Sequence, residues 1–162
     1  MSISSSSRDE MFLREAIQLA AEHSQRRDGG PFGAIVVRDG TILSRGWNQV
    51  TSTNDPTAHA EVIAIRAACR ELSDFRLPGC VLYASCEPCP MCLAAAYWAR
   101  LDRIVYAAMR DDAAAIGFDD SLLYEEFSQP LERRQMRSTQ LLRDEALVMM
   151  ERWNAMPDKV RY

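Results

Sequence analysis

The sequence predicts an α/β domain on three observations. Segments with the three-to-four-residue apolar spacing of helices alternate with short runs of β-branched and aromatic residues. Apolar residues make up 48% of a 162-residue chain, enough for one sizeable core. No internal repeat, long linker or compositional break divides it, so residues 1–162 read as one domain. Residues 1–8 are expected to form a flexible tail, and a C-terminal helix and tail are expected from about residue 140.

The elements follow in order. "DEMFLREAIQLAAEHSQRR" places Met11, Phe12, Ala16, Ile17, Leu19 and Ala20 at helical spacing, and Gly29-Gly30-Pro31 ends that helix. "PFGAIVV", Asp39-Gly40 and "TILSRGW" read as a hairpin, because Asp-Gly suits a type I′ turn. "NQVTSTNDP" is rich in turn formers and reads as a loop. "TAHAEVIAIRAACREL" is a second helix, with Asp55 as N-cap and Pro56 in the first turn. "CVLYAS" is a short strand, "EPCPMCLAAAYWAR" a third helix, and "RIVYAAM" another strand. Short helical pieces are expected around Gly117, and a last helix in "STQLLRDEALVMMERWNAM" has an open N-terminal boundary.

Composition narrows the function classes. The net charge is −4, so the balance lacks the basic footprint of a nucleic-acid groove, and "LERRQMR" reads as a solvated face. No apolar run approaches the roughly 20 residues of a membrane span. "MSISSSSRDE" has no basic stretch followed by an apolar one, so no secretory signal is expected and the cytosol is the expected location. Five cysteines are an odd number for a disulfide framework. Cys69 and Cys80 sit in apolar surroundings and read as small buried hydrophobes.

Cys86, Cys89 and Cys92 need another account. Pro90 suits the first position of a helix, which makes Cys89 its N-cap and puts Cys92 on the same face one turn later. Both sulfurs then converge at the positive end of the helix dipole, where thiolate is favoured. Cys86 lies outside that turn, in the approach loop. Of the two histidines, His23 sits among polar residues and reads as solvent-facing, while His59 opens the second helix beside Glu61. Side chains two apart do not share a helix face, but both reach a pocket that caps the helix end-on. His59, Cys89 and Cys92 leave a position open for water, the mark of a catalytic zinc, whereas Cys86 as fourth ligand would close the site. A carboxylate at position 61 favours the open version, since a hydrolytic centre needs a proton carrier.

"HAE" followed by "PCPMC" resembles the H-x-E…P-C-x-x-C signature of the zinc nucleobase deaminases. "DGGPFGAIVV", "NDPTAHAEVIAIRAAC", "YASCEPCPMC" and "AIGFDDS" are similar to the bacterial guanine deaminases within that family, most densely from Gly29 to Ser121. The resemblance implies a three-layer α/β/α cytidine-deaminase-like fold with a central mixed sheet, and one zinc per chain. It implies conversion of guanine to xanthine and ammonia. By position it implies His59, Cys89 and Cys92 as zinc ligands, Glu61 as general acid/base, and Asp120 as a carboxylate that holds the purine and moves protons. Asn48 matches the purine-recognition asparagine. Phe32, Ala60 and Trp98 match pocket residues, and Tyr162 an aromatic that closes the site. Asn48 also suits a turn residue, Asp120 a helix cap, Trp98 the core and Tyr162 a frayed end. The family relationship also implies a homodimer that exchanges its C-terminal segment, with neither nucleic acid nor membrane as partner. The rival readings are a guanosine deaminase, a tRNA-adenosine deaminase and a non-catalytic zinc-stabilised scaffold.

Overall fold

A two-residue turn sets the direction of the central sheet. β1 (Gly33–Arg38) and β2 (Thr41–Trp47) pair antiparallel across Asp39 and Gly40, whose φ angles of 52° and 77° are both left-handed. This is the type I′ geometry expected of Asp-Gly. β3 (Cys80–Cys86) joins the other edge of β1 antiparallel, and β4 (Arg103–Ala108) runs parallel to β3. The order β2-β1-β3-β4 is thus a mixed sheet. A parallel pair needs a crossover, and α4 (Pro90–Trp98) lies within it. The structure, a computed structural model, describes residues 5–162, which divide into one compact unit up to Asp120 and a second, Ser121–Tyr162.

Strand alternation distributes the core over both faces of the sheet. Ala34, Val36, Leu82 and Ala84 pack with Ala60, Ala64, Ile65 and Ala68 of α3 (Ala60–Leu72) and with Ala96 of α4. Their neighbours Ile35, Val37 and Tyr83 pack on the opposite face with Phe12 and Leu19 of α1 (Ser5–Gln25). The expected α/β/α layering results. The face toward α3 carries small residues because the helix lies very close. A Cβ on Gly46 of β2 would strike the Ala60 carbonyl and the Ala64 amide. The buried Ser44 hydroxyl, also on β2, donates to the Ala64 carbonyl at 2.7 Å. β2 therefore seats the first turns of α3, the part of the chain next to His59.

Several local expectations differ from the structure. α1 starts at Ser5, inside the stretch read as a tail; residues 1–4 lie outside the described residues. The loop expected over residues 48–56 contains one helical turn, α2 (Val50–Thr53), closed by Asn54 at φ 53°. Asp55 does not cap α3; the N-cap is His59, at φ −71° and ψ 153°. The reason is local competition. Asp55 Oδ1 accepts from the Thr57 amide at 2.8 Å and the Thr57 hydroxyl at 2.7 Å, an Asx turn that ends before the helix begins. Cys80 is fully buried as expected, whereas Cys69 is half-buried. After β4, α5 (Arg110–Ala115) leads to Gly117 at φ 95°. The second unit holds α6 (Ser121–Ser128), a 3-10 turn at Leu131–Arg133, and α7 (Arg143–Ala155), which starts later than the apolar pattern suggests. None of these three elements buries a residue. No described helix is long and apolar enough to cross a membrane.

A charged link ties α1 to the sheet. Asp9 accepts from the Tyr83 hydroxyl at 2.6 Å and from both Arg103 terminal nitrogens at 2.9 and 2.7 Å. The Arg103 guanidinium is the main cause that holds the Asp9 carboxyl below its usual 3.8. A depressed carboxylate stabilises the fold fully above the unfolded value and loses that effect as pH falls through the native one. Urea midpoints of wild type and Asp9→Asn should therefore differ at neutral pH and converge below 3.8. A gap independent of pH would show that the link contributes nothing through its charge.

Candidate metal centre

Two helix starts face each other. Cys89 is the N-cap of α4, in extended conformation at φ −62° and ψ 167°, with Pro90 behind it in the first turn. Proline has no amide hydrogen to lose there, and it forces the preceding residue into the extended geometry an N-cap needs. His59 holds the same position on α3. His59 Nδ1 lies 3.6 Å from Cys89 Sγ and 3.5 Å from Cys92 Sγ. Among the described residues, these three form the cluster whose ligand atoms converge within 4.8 Å.

The donor set fits zinc. Tetrahedral bonds of about 2.0–2.1 Å to nitrogen and 2.3 Å to sulfur imply nitrogen–sulfur separations of about 3.6 Å. The observed spacings match without rearrangement. The electrostatics also suit a cation. A hydrogen bond from Cys92 is the largest cause that holds the Cys89 thiol down, to about 4. The same bond pushes Cys92 upward, and both sulfurs lie at the positive end of α4. His59 is drawn upward, mainly by its bond to Cys89.

Cys86 is not a member of the cluster. It is buried, and its thiol donates to the Met109 carbonyl at 3.5 Å. The cluster therefore offers three ligand atoms, and Cys86 does not supply a fourth.

Glu61 is 7% exposed, and burial pushes its carboxyl upward. It interacts with Cys89, His59 and Cys92, so it adjoins the centre although it is not part of the ligand cluster. Asp120 is half-buried; burial first, then the charge of Cys89, raises its carboxyl. Asn48 is 6% exposed. Its Oδ1 accepts from the Gly30 amide at 3.1 Å and the Val50 amide at 3.3 Å, and its own amide donates to the Phe32 carbonyl at 3.0 Å. The bond to Val50 makes it a turn residue as well. With Oδ1 engaged by the backbone, the side chain offers its NH₂ donors to a ligand.

The remaining predicted residues are less uniform. Phe32 packs against the core and meets Phe118 edge-on at 4.9 Å between ring centres. Ala60 is buried in the first turn of α3. Trp98 is 65% exposed, so it is not core. Tyr162 belongs to the second unit and is exposed. His23 is not solvent-facing: its ring stacks on Trp47 at 3.7 Å and its Nδ1 pairs with Asp28 at 2.7 Å. Sequence reasoning missed Phe118 and Trp47. Phe118 lies in the quoted "GFDD", and Trp47 directly precedes Asn48, so adjacency was the available signal.

Residues 6–108 match the cytidine and deoxycytidylate deaminase zinc-binding region. The chain belongs to this family, and it is a zinc-dependent deaminase. It is 50% identical over 153 residues to guanine deaminase of Bacillus subtilis strain 168, covering 94% of this chain and 98% of that one. The X-ray structure of Bacillus subtilis guanine deaminase is similar at a TM-score of 0.92, with the same identity and coverage. A crystal structure of a protein in complex with 8-azaguanine is 34% identical, with a TM-score of 0.66 over 91% of this chain and 85% of that one. A tRNA-specific adenosine deaminase of Agrobacterium fabrum is 42% identical over 102 residues, 63% of this chain and 67% of its own.

Purified protein should hold about one zinc per chain by elemental analysis. Cys92→Ser should lose most of it, and Cys86→Ser should retain it. Zinc loss in Cys86→Ser matching that in Cys92→Ser would make the site a closed four-ligand one.

Proposed function

We propose that this deaminase acts on guanine, with water as co-substrate and xanthine and ammonia as products. The observation that carries the reading is the buried Glu61 carboxyl beside a three-ligand centre, together with the Asn48 amide held by its oxygen. The similarity to a guanine deaminase along nearly the whole chain supports the choice of base.

Bound zinc supplies Lewis-acid activation of water. The chain's own residues do the rest. A Glu61 carboxylate oxygen takes a proton from the attacking water and delivers it to a ring nitrogen beside C2, which makes that carbon electrophilic. Water oxygen bonds to C2; Glu61 or Asp120 then takes that oxygen's second proton and hands it to the exocyclic amine, so the C2–amine bond breaks, C2=O forms and ammonia leaves. Burial favours this cycle, because a carboxyl raised toward neutrality both accepts and returns a proton readily. The Asn48 NH₂ donates to an acceptor on the purine. Phe32 and Trp98 supply apolar surface to the ring, and Ala60 lines the pocket.

The C-terminal unit supports a homodimer with exchanged tails. Val148, Met149, Met150 and Trp153 of α7 are each 42–59% exposed, apolar surface that a second copy would cover. The two thiol ligands need a reducing compartment, which favours the cytosol. A guanosine substrate is the rival, and guanine against guanosine kinetics separates the two. The tRNA-adenosine reading draws on a match confined to about two thirds of the chain, and inosine formation in tRNA would be its sign.

Glu61→Gln should keep zinc yet lose turnover of guanine by about 10² to 10⁴. Normal ammonia release from that variant would remove Glu61 from the chemistry. Cytosine and cytidine should be poorer substrates than guanine by roughly 10⁴, since a pyrimidine leaves buried polar groups unpaired. Comparable rates on cytidine would contradict the assignment of the base.

A further inference from the structure

We infer that His23, gripped between Asp28 and Trp47, is a positioning residue that fixes how Asn48 reads the purine. This rests on the reading of Asn48 given above.

The chain geometry begins at the end of α1. Arg27 turns left-handed at φ 63°, and the Asp28 amide donates back to the His23 carbonyl at 3.0 Å. That reversal folds Asp28 over its own helix end, so Oδ2 meets His23 Nδ1 at 2.7 Å. A carboxylate only accepts, so Nδ1 carries the hydrogen. The other surface of the bridge is aromatic. The imidazole lies flat on the Trp47 indole, with 3.7 Å between ring centres and 5° between planes. The His23 side chain is only 12% exposed. One ring thus holds two strands of chain that are distant in sequence.

Those two strands meet again one residue later, on Asn48. Asp28 is followed by Gly29 and Gly30; Trp47 is followed by Asn48 itself. The Gly30 amide donates to Asn48 Oδ1, and the Asn48 amide donates to the Phe32 carbonyl. Gly29 passes so close that a Cβ would strike the Asn48 carbonyl. The segment that orients the Asn48 amide is therefore a glycine pair, the most permissive backbone there is. Such a joint keeps one conformation only if its ends are held. Gly33 holds one end by pairing with Trp47 in the sheet. The other end is Asp28, and His23 is what holds it. His23 is not in the metal cluster, so its effect runs through the amide and not through zinc.

The test uses zinc-replete full-length protein and steady-state kinetics on guanine and 2,6-diaminopurine, a base with an amino group where guanine has a carbonyl. Asp28→Ala and His23→Leu should raise KM for guanine about tenfold, the effect of one mispositioned hydrogen bond. They should narrow the preference for guanine and leave zinc content intact. Asp28→Asn, whose amide oxygen still accepts from Nδ1, should stay within about threefold of wild type. The Asp28→Ala/Asn48→Ala pair should be no worse than Asn48→Ala alone, as expected of groups acting through one another. Asp28 is 39% exposed, so Asp28→Ala tests the bridge without opening the core if His23→Leu fails to fold. Unchanged KM and preference in Asp28→Ala, with Asn48→Ala impaired, would overturn the role of His23 and leave Asn48's intact. A lowered Tm with unchanged KM would equally overturn it, as the bridge would then be merely structural. An Asn48→Ala enzyme with wild-type KM would remove the role of Asn48, and that of His23 with it.

Discussion

Everything in the first unit is arranged around the meeting of two helix N-termini. A helix start exposes unpaired amide hydrogens and a partial positive charge. Bringing two together over a cation looks unfavourable, and the ligand chemistry reverses that. Each start carries a member of the candidate cluster at the capping position itself, His59 on α3 and Cys89 on α4. Thiolate charge offsets both the helix ends and the ion. The sheet fixes the approach: β3 delivers the chain to α4, while β2 seats α3.

The proposed reaction makes a second demand on this region, a proton carrier that is close to the ion without binding it. Glu61 meets it by position. Two residues past the N-cap, its side chain leaves the helix in a different direction from His59, so both border one centre from different sides. Its burial costs solvation of the charged form, and that cost raises its carboxyl above the usual range. Asn48 and Phe32, which the proposal assigns to the purine, stand on separate ground, the β1–β2 end of the sheet, where a backbone hydrogen bond joins them.

How much of this was legible in the sequence depended on whether the signal was local. Cys89-Pro90 announces its own helix start, and Asp39-Gly40 its own turn, because the conformational preference belongs to those residues alone. The clustering of His59, Cys89 and Cys92 was legible in their types and spacing, because Pro90 and the three-residue step put both sulfurs at one helix start. Asp55 was misplaced for the opposite reason: capping and Asx turns use the same side chain and the same backbone donors, and Thr57 two residues on decided between them. His23 was misread because its partners come from elsewhere. A histidine among polar residues looks solvated until a strand end brings an indole to its face. Trp98, at helical spacing within an apolar run, gave no sign that its side of α4 would be exposed.

The close seat of α3 under Gly46 has a consequence for how this centre can vary. His59 of the candidate metal cluster and the buried Glu61 are borne on one helix start, two residues apart, and that start rests directly on a strand with no side chain between. Any shift of the strand displaces both groups as a body. A backbone shift here therefore moves both groups together; variation that separates their effects has to replace one of the two side chains or come from the opposite helix or the base-binding end.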